Sequence, residues 1–200
     1  FFINTIFRFL PKKKNIDGVN IENIKLSKFC VRLYHPDGTP SGGGLIWIHG
    51  GGLLIGNASI NDDLCAEYAK TLNIVVLSVN YRLADRNPFP AAIDDCFEAW
   101  DWFVENSNSL GVDPRRIAVS GVSAGGGLAA SLSQRILDER EIQPKAQVLF
   151  CPMLDDRTAG QEELNVIDHP AWNNRNNKTG WSSYLMQPAG MESVPEYSVP

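Results

Sequence analysis

Four short apolar runs limit what this chain can fold into: residues 45–48 (LIWI), 74–79 (IVVLSV), 117–119 (IAV) and 146–150 (AQVLF). Each is nearly continuous rather than alternating, the pattern of strands covered on both faces in a parallel sheet. Helical patterns separate them. Ile93, Cys96, Phe97, Trp100, Phe103 and Val104 recur every three or four residues, with Pro90, Asp94 and Asp95 near the start. Leu128, Leu132, Ile136 and Leu137 repeat that spacing, and residues 62–72 carry a weaker version of it. Strand and helix therefore alternate, which predicts right-handed βαβ crossovers and an open, mostly parallel α/β sheet flanked by helices. Residues 111–116 (GVDPRR) read as a turn before a strand, and residues 173–178 (NNRNNK) as a loop.

Two hundred residues suffice for one sizeable core. A net charge of −5 argues against nucleic acid or an anionic membrane as partner. Cys30, Cys65, Cys96 and Cys151 lie far apart, with no CxxC and no His/Cys cluster, so metal-ligand spacing is absent. Single cysteines within apolar runs read as buried thiols of a cytoplasmic protein, although two disulfides remain arithmetically open. The N-terminal stretch FFINTIFRFLPKKKN is apolar, then basic. It is too short to span a bilayer and has the wrong charge order for a secretory signal. It reads as a segment packing on the domain, with the remnant of a membrane anchor as the alternative. Residues 1–27 are accordingly set apart as an N-terminal cap-like or packing segment, and residues 28–200 as the main domain.

The chemistry is concentrated at two strand ends. In open α/β sheets, reactive groups sit outside the carboxyl ends of the strands. The stretch SGVSAGGGLAA follows the run at 117–119 directly and holds Ser123 between Gly121 and Gly125. Turning from strand to helix within a residue or two strains the serine's backbone, and glycines on either side let the chain pass close. This is the G-x-S-x-G elbow, which exposes Oγ at a helix N-terminus and aims the Ala124 N–H at an oxyanion on a bound ester. Alone the motif is weak, because short glycine patterns recur by chance. A second motif, IWIHGGG, also runs from an apolar strand into glycines whose N–H groups can face a carbonyl oxygen. Two such strand ends in this order read as a nucleophile and an oxyanion hole. The bland alternatives are a tight turn at Gly50–Gly52 and close helix–strand packing at 121–127; the GK[ST] ending of a phosphate loop is absent.

These motifs, with VNYRLADRNPFPAAIDDC, CPMLDDRT and GWSSYL, resemble the hormone-sensitive-lipase family of α/β-hydrolase carboxylesterases from about Lys28 to Leu185. The resemblance implies the α/β-hydrolase fold and hydrolysis of small esters with no metal or organic cofactor. It implies Ser123 as nucleophile, Gly51, Gly52 and Ala124 as the oxyanion hole, and His49, with Gly50, Gly121 and Gly125, as structural. The chain departs from the family pattern at Val122, where an acid is usual, at Asp85 and Arg86 in place of Pro-Glu, and at Leu53 in place of an aromatic.

An elbow serine needs an imidazole oriented by a carboxylate, in the order Ser, acid, His. Downstream of Ser123 the only histidine is His169, with Asp155 and Asp156 before it. No strand pattern separates them, so His169 reads as a surface or cap histidine, and the two aspartates as bonding the nearby loop. The resemblance places the acid and base beyond Pro200, and the chain reads as a catalytic domain incomplete at its C-terminus. A ligand-binding protein that keeps the pocket but lacks the base, and an amidase or peptidase on the same fold, stay open as alternatives.

Overall fold

The computed structural model describes residues 15–167, 169–170 and 172–200. Among these, seven strands make one sheet: β1 (Asn15–Ile16), β2 (Val19–Lys25), β3 (Cys30–Pro36), β4 (Gly42–Ile48), β5 (Val75–Asn80), β6 (Val112–Val122) and β7 (Ala146–Phe150). Their spatial order is β1-β2-β3-β5-β4-β6-β7. The four apolar runs are its parallel half, since β5–β4, β4–β6 and β6–β7 all pair parallel. Helix α1 (Asp62–Leu72) joins β4 to β5, α2 (Ala91–Glu105) joins β5 to β6, and α3 (Ala124–Glu139) joins β6 to β7. Helix α4 (Asn174–Leu185) follows.

The pleat distributes each central strand between two cores. Leu45 and Trp47 of β4 face one way and pack with Val76 and with Cys65, Ala66 and Ala69 of α1. Ile46 and Ile48 face the other way, joining Leu77, Val79, Ile117 and Val119 beneath α2 and α3. Burial on both faces is why β4, β5 and residues 117–119 read as unbroken apolar runs; β7, the fourth such run, is instead largely exposed, because it pairs only with β6 at the edge of the described sheet.

The N-terminal strands read differently because their surroundings differ. Strand β2 pairs antiparallel with β3, and β3 antiparallel with β5. In β2, Val19 and Ile21 are buried while Asn20 and Glu22 are exposed, the alternation of a half-solvated strand. In β3 the buried Arg32 interrupts the apolar pattern, and its Nε and Nη2 each donate to Asp62 at 2.7 Å. Residues 19–25, assigned from sequence to the N-terminal segment, are thus a strand of the main sheet, and the boundary at residue 27 falls inside the β2–β3 hairpin. The apolar stretch before residue 15 lies outside the described residues.

Two local expectations change. Residues 112–116 are an irregular excursion within β6, between the pairings Gly42↔Val112 and Gly44↔Ile117, so turn-like sequence sits inside a strand. Residues 174–178 are the first turns of α4, not a loop. The Asn173 side chain accepts from Asn176 N at 3.1 Å, capping the helix. Downstream, Trp181, Tyr184 and Leu185 are buried in the core, and that burial outweighs the poor helix propensity of an asparagine run. All four cysteines are free thiols; Cys65 and Cys96 are buried, but Cys151 is exposed just past the end of β7.

Candidate active site

The pairing of β4 with β6 brings the two glycine motifs together. Ile48 stands opposite Gly121, so His49–Gly52 and Val122–Ser123 leave the sheet side by side at the carboxyl ends of adjacent parallel strands. A Cβ built on Gly50 would lie 3.3 Å from the Cβ of Ser123.

Ser123 has φ 56° and ψ −120°, a left-handed conformation that costs a non-glycine residue about 1–3 kcal/mol. Three backbone bonds hold it there. Its N–H donates to Phe150 O at the end of β7 (2.9 Å), and its carbonyl accepts from Gly127 N (3.1 Å) and Met153 N (3.0 Å). The hydroxyl makes no capping bond to α3. A Cβ on Gly121 would run into the Gly125 carbonyl, and one on Gly125 into the carbonyls of Ile48 and His49. Only glycine permits this approach of helix to strands.

The first motif is a turn built on backbone bonds. Leu54 N and Ile55 N both donate to Gly51 O, at 3.1 and 3.0 Å, with Gly51 at φ 124° and Gly52 at φ 58°. His49 anchors its start. The ring is fully buried, Nδ1–H donates to Gly50 O at 2.7 Å, and the imidazole stacks on Tyr81 at 4.3 Å between centroids. The Tyr81 hydroxyl donates to His49 O at 3.0 Å. Burial pushes the His49 pKa down to about 4, only partly opposed by the bond to Gly50, so the imidazole is neutral.

Ser123 opens onto a cavity of about 440 Å³. Met153, Leu154, Leu164, Ile167, Trp172 and Trp181 supply its apolar wall, and Thr158 with Asn173, Asn174 and Asn177 a polar one. That mixture and size suit a small, mostly apolar molecule. A second, far smaller space touches Leu53, Ala124 and Tyr184 behind the helix start.

None of the three histidines lines the cavity among the described residues. His35 is on β3 with Nδ1 2.9 Å from Pro36 O, His49 is sealed beneath the turn, and His169 is exposed. Asp155 lines the cavity but is engaged locally. It accepts from Arg157 N (2.9 Å) and the Arg157 guanidinium (2.8 Å), and that partner holds its carboxyl below the usual range. Asp156 is buried and accepts from Gly190 N at 2.6 Å. Both aspartates therefore bond nearby loops, as their sequence context suggests. Among the described residues no cluster of His, Cys, Asp and Glu could hold a metal ion, and no helix is long and apolar enough to cross a membrane.

A family model described as the alpha/beta hydrolase fold matches residues 45–199, which span both glycine motifs and the parallel strands. The chain belongs to the α/β-hydrolases, in the hormone-sensitive-lipase family. This α/β-hydrolase is 41% identical over 129 residues to an ethyl acetate hydrolase of Pseudomonas putida, a match covering 62% of this chain and 41% of that protein. It is 36% identical over 166 residues to an arylacetamide deacetylase of Oryctolagus cuniculus, covering 76% of this chain and 42% of that one. Among solved structures, a bacterial heroin esterase superposes with a TM-score of 0.85 at 35% identity, over 100% of this chain and 65% of its own. The chain spans about two fifths of the length of the curated relatives it matches.

Two residues of the candidate site carry no local sequence signal. Tyr81 lies in the VNYRLAD stretch, but nothing local signals that its ring packs on His49. Trp172 sits in a stretch with no regular pattern, and only the fold carries it to the cavity. At the departures from the family pattern, Asp85 and Arg86 lie on the exposed turn after Tyr81, while Leu53 is buried at φ 66° with its carbonyl accepting from Ala84 N at 2.9 Å.

Proposed function

We propose that this chain carries the nucleophile and oxyanion hole of a serine carboxylesterase acting on short to medium acyl or aryl esters. The observation that carries the reading is Ser123 in a positive-φ elbow beside the Gly50–Gly52 turn, with Ser123 itself lining a cavity of mixed apolar and polar walls. Relatives named for ethyl acetate and arylacetamide substrates support small acyl compounds. Ser123 Oγ attacks the ester carbonyl carbon, and the carbonyl π pair moves onto oxygen. The N–H groups of Gly51, Gly52 and Ala124 receive that charge, aided by the positive end of α3. The serine proton passes to a histidine and then to the departing alkoxide, leaving an acyl-enzyme. Water attacks the acyl carbon, returns a proton to Oγ through the same histidine, and the carboxylic acid leaves. On this reading that histidine is none of His35, His49 and His169, none of which lines the cavity among the described residues. Neutral His49 holds the turn and moves no proton.

The test is hydrolysis of p-nitrophenyl acetate and butyrate by the full-length protein and its Ser123→Ala variant. Loss of the nucleophile leaves only binding and oxyanion effects, so kcat should fall at least about a thousandfold. A variant within tenfold of the parent refutes the assignment. A second reading, a hydrolase-like binding protein without a base, draws on the absence of any histidine among the described cavity-lining residues. It expects no turnover by the parent and no labelling of Ser123 by a fluorophosphonate.

A further inference from the structure

We infer that Trp172 is the specificity-determining residue of this cavity, setting how long an ester substituent can lie beside Ser123; the inference rests on the esterase reading above. The indole tip is seated in a notch made by two glycines from distant parts of the chain. A Cβ on Gly52, in the glycine turn, would collide with the six-membered ring of Trp172. A Cβ on Gly180, in the middle of α4, would lie 3.5 Å from Trp172 Cη2 and 2.8 Å from Gly52 O. A side chain at Gly52 would push the indole out, while one at Gly180 would meet the Gly52 carbonyl and only touch the ring. The half-buried Trp172 also lines the cavity that contains Ser123.

The backbone that presents the ring is fixed just past it. Asn173 caps α4, and Asn174 Nδ2 donates to Gln161 O (3.2 Å) and Asn165 Oδ1 (2.9 Å). These bonds fix the chain just after Trp172, and the indole rests against Gly52 of the glycine turn. A large, rigid aromatic lining the same cavity as the reacting serine acts as a stop, because its bulk takes room a longer alkyl chain would need. A mere packing role would lower the rates of all substrates together. A stop changes their ratio.

The experiment measures kcat/KM of the full-length protein and its Trp172→Ala and Trp172→Phe variants on two series. One varies the acyl chain (p-nitrophenyl acetate, butyrate, octanoate), and the other varies the alcohol (ethyl, butyl, octyl acetate). Each methylene newly accommodated against an apolar wall favours binding about fourfold. In Trp172→Ala the octyl-to-butyl or octanoate-to-butyrate ratio should therefore rise at least about tenfold in one series, which also identifies the side of the ester that the cavity holds. Trp172→Phe should move the same ratio in the same direction by less, and carries the comparison if the alanine variant does not fold. A parent active on these esters, with every variant ratio within twofold of its own, overturns this inference alone. A parent inactive on both series overturns the esterase reading and the inference with it.

Discussion

Lowering the pH from 7 to 5 should destabilise this protein through one buried ring, His49. The imidazole is fully buried, stacked on Tyr81, with Nδ1 committed to Gly50 O and Nε2 without a partner among the described residues. A proton added at Nε2 would place a charge where nothing solvates or pairs with it, which is why the folded pKa drops to about 4. An unperturbed imidazole titrates near 6.5. Between those values the unfolded chain binds a proton that the folded one refuses, so unfolding is favoured as pH falls. The stabilisation is fully present above about pH 6.5 and is lost as pH falls toward 4. Linkage gives a loss of about 2 kcal/mol from pH 7 to pH 5, and about 3 kcal/mol by pH 4. The assay is urea unfolding of the parent and a His49→Gln variant at pH 7 and pH 5. Glutamine does not titrate, and the carboxylates common to both proteins cancel in the difference. The parent should lose about 2 kcal/mol more than the variant over this interval. Equal losses, within about 0.5 kcal/mol, would refute the claim that a neutral, sealed imidazole holds the turn.

Gly125→Ala should destabilise by about 1–3 kcal/mol, because the new methyl meets the Ile48 and His49 carbonyls and α3 must move off the sheet; a thermal midpoint equal to the parent's would contradict the close approach. His169→Ala in the full-length protein should change kcat for p-nitrophenyl butyrate by less than about tenfold, since the residue is exposed and not among the described cavity-lining residues. A hundredfold loss, the scale of removing a general base, would make His169 the proton carrier.

The central fold was legible because its cause is local and repeated. Strands β4 and β5 and residues 117–119 of β6 are apolar on both faces, whereas β7, equally apolar in sequence, is largely exposed at the sheet edge, and α1 begins and ends at the residues its pattern indicates, Asp62 and Leu72. Strands β2 and β3 were missed because one is half in water and the other buries Arg32 against Asp62, a pairing partner 30 residues away. Asn173–Lys178 misled because its helix is stabilised from the other end, through Trp181 and Tyr184 in the core. Cys151 departs from the expectation of buried thiols because it lies just beyond β7, in the strand-end cavity rather than under a helix.

What the sequence determined by itself were the features that depend on bonded neighbours: the strain at Ser123, the glycines able to tolerate it, and the order of the two motifs. Neighbours in sequence constrain φ, ψ and burial directly, so those features are written where they act. The tertiary structure decided everything that requires two distant segments to meet. The register Ile48↔Gly121 brings the motifs side by side, Tyr81 closes over His49, and Trp172 seats on Gly52 and Gly180. Such contacts have no local signature, because the free energy that selects them comes from packing the whole sheet and its helices at once.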